Sequence, residues 1–239
     1  MYFEAEKLSV GYDGKPIVSD INVELRKGQI LSIIGPNGSG KSTFLKSITK
    51  QLRLISGRVT ELTPEAAAVV LTERPRPELM TCFDVVAVGR YPYTGRLGIL
   101  SKTDRAKIDD ALRTVNALEL KDRDFNRISD GQLQRIMLAR AICQEPEIIV
   151  LDEPTSFLDI RYAIEILDIL RKMADERGLA VIMSLHELSY AKRVSDIVMC
   201  VKDGRIMALD RPENVFDESI ISRLYDLPPG IFAELFGGL

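Results

Sequence analysis

Eight consecutive residues carry the plainest chemistry in this chain. Gly35-Pro36-Asn37-Gly38-Ser39-Gly40-Lys41-Ser42 fits the spacing G-x-x-x-x-G-K-S. Glycines in such a turn let backbone N–H groups point inward around phosphate oxygens, and a helix beginning there adds the positive end of its dipole. Lys41 can then meet the outer phosphates as a point charge, and the Ser42 hydroxyl can ligand Mg²⁺. A second group lies further on, where Ile148-Ile149-Val150-Leu151 runs into Asp152-Glu153. An apolar run closed by two carboxylates suits a buried strand charged only at its carboxyl edge, where open α/β sheets bind ligands. Asp152 would belong to the Mg²⁺ shell, and Glu153 would polarise a water near the terminal phosphate. His186, the single histidine, follows the strand-like LAVIMS. That places it at the same edge, as a candidate contact to the γ-phosphate.

These residues need elements to hold them. Ile21, Val23 and Leu25 alternate with Asn22 and Glu24, a half-buried strand ending at Lys27-Gly28. Gln29 to Ile34 reads as a buried parallel strand, and a helix follows the glycine turn from Lys41 to about Leu52. Glu147 to Leu151 and Leu179 to Ser184 read as two more buried strands. Ile164, Leu167, Leu170 and Met173 recur between them at helical spacing. Strand and helix alternate, so the expected fold is α/β with a mainly parallel core sheet, an antiparallel N-terminal β part and a helical subdomain. The helical part spans about 75–145, inserted between core segments 1–74 and 146–239 of a single domain. Within it Tyr91 to Gly95 reads as a loop, and Ser101 with Asp104 is a capping box for a helix to about Leu118. Asp203-Gly204 between IVMCV and RIMAL is a hairpin signal. The tail from Asp217 reads as a short helix and then a loose end.

Composition removes several function classes. The chain has 239 residues, 46% hydrophobic and 28% charged, the balance of a globular protein with a real core. Its longest unbroken apolar run, Ala66 to Leu71, is far below the ~20 residues of a membrane helix. The first ten residues hold no apolar signal segment. Cys82, Cys143 and Cys200 are scattered without metal-ligand spacing, which reads as reduced thiols. A net charge of −3 gives no nucleic-acid footprint.

Together these segments resemble the ATP-binding cassette family, from Tyr12 to about Asp210. Ile128-Ser129-Asp130-Gly131-Gln132 is similar to the family signature LSGGQ and opens a helix read from Leu133 to Cys143. The resemblance implies that Ser129, Asp130, Gly131 and Gln132 bind the γ-phosphate of ATP held by another subunit. It places Tyr12 against adenine, adds Thr43 to the ATP-binding residues, makes His186 the switch histidine, and makes Ser156-Phe157-Leu158-Asp159 a D-loop. Its implied cofactors are ATP and Mg²⁺. Two departures stand out. Asp130 replaces the usual glycine, and no glutamine occurs between Gln51 and Gln132, so Glu73 takes the slot of the Q-loop metal contact.

The stretch Val86 to Gly95 is similar to ATPases of iron-siderophore, haem and cobalamin importers. One phosphate loop and one signature per chain imply a dimer, with a second copy or a related ATPase subunit. The resemblance further implies a separate transmembrane permease, an extracytoplasmic substrate-binding protein acting indirectly, no nucleic acid, and a peripheral place on the cytoplasmic face of the membrane. An importer of another substrate, or a soluble assembly scaffold, is the alternative. Chromosome-type cassettes need coiled-coil insertions and ribosome factors two cassettes, neither of which fits. A plain phosphate-loop kinase is disfavoured by the signature.

Overall fold

The computed structural model describes residues 2–71, 77–95, 97–156 and 158–236. β1 (Phe3–Tyr12) and β2 (Lys15–Leu25) form a hairpin whose turn, Asp13-Gly14, has both residues at positive φ, 50° and 75°. That geometry matches the twist of the flanking strands. β4 (Leu54–Val59) pairs with the other edge of β1, giving a three-stranded antiparallel sheet of order β2-β1-β4.

The second sheet has six strands in the order β5-β6-β7-β3-β8-β9. β3 (Ile30–Ile34), β6 (Ile148–Leu151) and β7 (Ala180–Ser184) are buried at every position, as expected of parallel strands covered on both faces. β5 (Ala67–Val70) and β8 (Ile197–Lys202) complete the parallel set, and β9 (Arg205–Asp210) closes it as an antiparallel edge. Alternate side chains divide between two cores. Ile30, Ile34, Ile149, Leu151, Val181 and Met183 face the helices. Leu31, Ile33, Ile148, Val150 and Ile182 face the antiparallel sheet and α1 (Lys41–Ile48).

Between β5 and β6 the named elements among the described residues are all helical: α2 (Cys82–Ala87), α3 (Lys102–Thr114), α4 (Asp130–Cys143) and three short 3₁₀ turns, with an isolated bridge between Thr81 and Asp124. After β6 come α5 (Ile160–Arg177), α6 (Leu188–Val194), α7 (Pro212–Val215), α8 (Glu218–Tyr225) and α9 (Ile231–Phe236). The Asp203-Gly204 hairpin forms with φ of 47° and 74°. The capping boxes of α3 and α2 pair Ser101 with Asp104 and Thr81 with Asp84.

Several local expectations are corrected. α1 stops at Ile48 rather than near Leu52, because Lys50 turns left-handed at φ 61° and the Gln51 and Leu52 N–H groups both return to the Lys46 carbonyl. α3 stops at Thr114, with left-handed Asn116 beyond it. α4 begins at Asp130, three residues before the expected start, because Ser129 and Gln132 make a capping box. Tyr91 lies in a 3₁₀ helix, Val88–Tyr93, rather than a loop; the fixed φ of Pro92 suits it. Ile164 is only half-buried, and the inward face of α5 is Ala163, Ile166, Leu167, Leu170, Met173 and Ala174. The tail forms the expected short helix, α8, with Ile221 and Leu224 fully buried. The segment after it is a second helix, α9, rather than a loose end, with Leu227 and Phe232 packed against the core.

Candidate functional site

Strand order builds the site. β6, β7 and β3 are neighbours, with Leu151 level with Met183 and Ser184 level with Ile33. Adjacent strands lie roughly 4.8 Å apart. The carboxylates after β6, the histidine after β7 and the glycine loop after β3 therefore emerge side by side.

The loop is shaped for close backbone approach. Gly35 has φ 148°, and a Cβ there would sit 2.1 Å from the Val201 carbonyl oxygen. Gly40 has φ 103°, and its Cβ would meet Val18 at 2.3 Å. Only glycine fits either position. Gly38 also has positive φ, 78°, while the Ser39 N–H turns back to the Pro36 carbonyl at 3.2 Å. Asn37 and Gly38 are exposed; Ser39, Lys41 and Thr43 are buried. Lys41 Nζ donates to the carbonyls of Gly35 at 2.7 Å and Pro36 at 3.0 Å. Burial lowers the Lys41 pKa, and the charges of Glu153 and Asp152 oppose that shift.

A hydroxyl network joins loop to carboxylates. Asp152, 6% exposed, accepts hydrogen bonds at Oδ1 from Ser42 at 3.1 Å and Ser184 at 2.7 Å. Ser184 Oγ in turn accepts the Glu153 N–H at 2.9 Å. Glu153 has φ 52°, a left-handed conformation that costs a non-glycine residue about 1–3 kcal/mol. Three contacts hold it there: the Ser184 bond, the Ser156 hydroxyl donated to Oε2 at 3.0 Å, and His186 Nε2 at 2.5 Å from Oε1. The Glu153 and His186 side chains keep 24% and 36% exposure, so both reach solvent beside the buried lysine.

The sequence-derived site residues thus fall into separate groups. The phosphate loop, Asp152, Glu153 and His186 form one cluster. Tyr12, 45% exposed, ends β1 near the β1–β2 turn. The neighbouring start of β2 brings Ile17 and Val18 against Gly40. The signature lies elsewhere: Ser129 and Asp130 are exposed at the start of α4. Ser129 and Gln132 bond each other, with the Ser129 N–H donated to Gln132 Oε1 at 3.0 Å, and neither bond reaches the loop. Gly131 packs on Tyr162 of α5. Asp159 caps α5 by accepting the Tyr162 N–H at 3.1 Å. Glu73 and Phe157 lie outside the described residues. Sequence reasoning passed over Ser184 as a site residue. Its signal was a lone hydroxyl at the end of a wholly apolar, buried strand, where a polar group needs a partner.

The cluster fits a nucleotide and its metal. Ser39 Oγ is buried in the loop without a protein partner, the state of a hydroxyl aimed at a ligand oxygen. The Ser42 hydroxyl and Asp152 carboxylate offer the hard oxygen donors Mg²⁺ prefers. Among the described residues, no group of three or more His, Cys, Asp or Glu could hold a metal by itself. Mg²⁺ characteristically takes one or two carboxylates and completes its shell with water and phosphate. No helix of the described residues is long and apolar enough to cross a membrane.

Fold and site together define a phosphate-loop nucleotide-binding cassette. The chain belongs to the ABC transporter family, whose profile matches residues 18–156. It is 44% identical to an uncharacterized ABC transporter ATP-binding protein of Methanocaldococcus jannaschii, over 98% of this chain and 84% of that one. It is 34% identical to the achromobactin transport ATP-binding protein of Dickeya dadantii, over 97% and 90%. A solved metal-chelate type ABC transporter in an inward-facing conformation superposes with TM-score 0.88 at 27% identity, covering 95% of this chain and 90% of that one. The chain is an ATP-binding, ATP-hydrolysing transporter subunit.

Proposed function

We propose that this subunit powers uptake of a metal chelate, an iron-siderophore, haem or cobalamin, by pairing with a second copy beneath a separate permease. The observation that carries the catalytic half is the contact of Glu153 with His186 beside Lys41 and Asp152. Lys41 and the loop N–H groups bind the phosphates, with Tyr12 against the adenine. Mg²⁺, held by Ser42 and Asp152 with Glu73 in its shell, would neutralise phosphate charge. Glu153 accepts a proton from the attacking water and orients it, while His186 fixes the Glu153 carboxylate and contacts the γ-phosphate. Ser129, Asp130, Gly131 and Gln132 act on ATP held by the other copy, and Asp159 lies at that interface.

The transport half is supported by a run of exposed apolar side chains on the helical part. Tyr91, Leu97 and Ile99 are 73%, 82% and 69% exposed. Such a surface suits docking of a permease at the cytoplasmic face of the membrane. The names of the achromobactin and metal-chelate relatives support the cargo class. The test is co-purification with a multi-spanning permease and ATPase measurements with and without it. Tyr91→Ser and Leu97→Ser should lower stimulation while leaving ATP affinity unchanged. Normal stimulation in both variants, or full hydrolysis by a monomer at high dilution, contradicts the reading. A chain that co-purifies with no membrane protein would instead be a scaffold.

A further inference from the structure

Gly131 in the signature segment is not required by backbone conformation: it sits in the first turn of α4 and is absent from the positive-φ residues. What it has little room for is a side chain. A Cβ there would stand 3.3 Å from Tyr162 Cδ2 and 3.4 Å from Cγ, tighter than nine in ten real Cβ contacts, so the ring would have to give by a few tenths of an ångström. The ring of Tyr162 therefore lies flush against the backbone at the start of α4. One turn along the same helix face, the Arg135 guanidinium lies 5.3 Å from the centre of that ring, within cation–π range. Arg135 is 8% exposed and is itself anchored by donating to the Asn116 carbonyl at 2.6 Å. Tyr162 is fixed at its base by the N–H donated to Asp159. Two adjacent turns of α4 thus share one aromatic contact from the first turn of α5, and a rotation of α4 about its axis would break both.

We propose that Tyr162 is a positioning residue that sets the orientation of the signature turn, and so acts on ATP held by the second copy rather than on its own. The inference rests on the two-copy reading above. Its mechanism is geometric. The exposed residues Ser129 and Asp130 project from the turn the ring supports, and small misplacements of a binding group are costly in rate.

The test uses mixed dimers of the full chain. Tyr162→Ala should lower ATP turnover roughly tenfold to a hundredfold, while Tyr162→Phe, which keeps the ring, should retain it. Lys41→Ala should be inactive because its own phosphate loop is damaged. Mixed in equal amounts, Tyr162→Ala and Lys41→Ala should recover about a quarter of wild-type turnover, since half the dimers then hold one intact site of two. A residue acting on its own ATP, or needed only for folding, gives no recovery. Mixing Lys41→Ala with Ser129→Arg separates the readings. Recovery there but not with Tyr162→Ala overturns the role of Tyr162 alone; failure of both overturns the two-copy site as well. Should Tyr162→Ala unfold, as judged by circular dichroism, Tyr162→Leu replaces it. That change keeps apolar bulk but removes the flat ring that Gly131 and Arg135 share, and it should show the same recovery; its absence would refute the proposal.

Discussion

Arg90→Met should destabilise the helical part of this subunit more than any surface change. Arg90 is 4% exposed and ties three elements together. Its Nε donates to Asp104 of α3 at 3.0 Å, and Nη1 donates to the Cys143 carbonyl at the end of α4 at 2.8 Å and to Glu145 at 2.9 Å. Its guanidinium also stacks 4.0 Å from the Tyr93 ring centre. The Glu145 pair is 44% exposed on the acid side and contributes about 0–1 kcal/mol. The Asp104 pair, 5% and 8% exposed, decides the outcome. Removing one partner of a buried ion pair costs about 3–5 kcal/mol, because the other charge stays buried without compensation. Asp104 keeps only its Ser101 capping contacts. Urea unfolding followed by circular dichroism is the assay, since the chain has no tryptophan. The double variant Arg90→Met with Asp104→Asn should recover part of the loss.

The pair also sets a pH signature. The Ser101 hydroxyl and N–H, together with Arg90, hold the Asp104 pKa below its ordinary value. A depressed folded pKa contributes stability above the unfolded carboxylate pKa of about 3.9, lost as pH falls through the folded value. The double variant should therefore lose less stability than wild type below pH ~4. A loss under about 1 kcal/mol for Arg90→Met, with an unchanged urea slope, would refute the reasoning.

Three further outcomes follow from the site. Lys41→Ala should weaken nucleotide affinity itself, measured by equilibrium binding; unchanged affinity would contradict the phosphate-loop assignment. Gly35→Ala should lose ATP binding and stability together, because its Cβ would lie 2.1 Å from backbone; thermal unfolding and binding check both. On the proposed metal role of Glu73, Glu73→Gln should keep hydrolysis but make ATP binding less dependent on Mg²⁺, since a neutral amide would replace a carboxylate ligand. Superimposable magnesium titrations would leave Glu73 without a metal role.

What could be read from sequence was whatever is local or periodic. The phosphate loop declares itself by spacing, and β3, β6 and β7 by short, mostly apolar runs; their carboxyl ends then placed Asp152, Glu153 and His186 at one edge. Features fixed by partners distant in sequence were missed. The 3₁₀ helix at Val88–Tyr93 depends on Arg90 reaching Asp104 and Glu145. The role of Ser184 depends on lying beside Asp152 across two strands. Helix ends ran long because left-handed Lys50 and Asn116 carry no strong stop signal, unlike a glycine. The signature was found as a nucleotide motif, although Ser129 and Gln132 are equally a capping box, which explains the earlier start of α4.

In the proposed assembly each ATP site is shared between two copies, with Glu153 activating the water. Glu153→Gln keeps the shape and removes the carboxylate, so ATP should bind while hydrolysis nearly stops. Sedimentation velocity of that variant with ATP and Mg²⁺ tests this most directly. A stable dimer with ATP and a monomer with ADP are expected; a monomer under both conditions, or near-normal hydrolysis by the variant, would contradict the shared site.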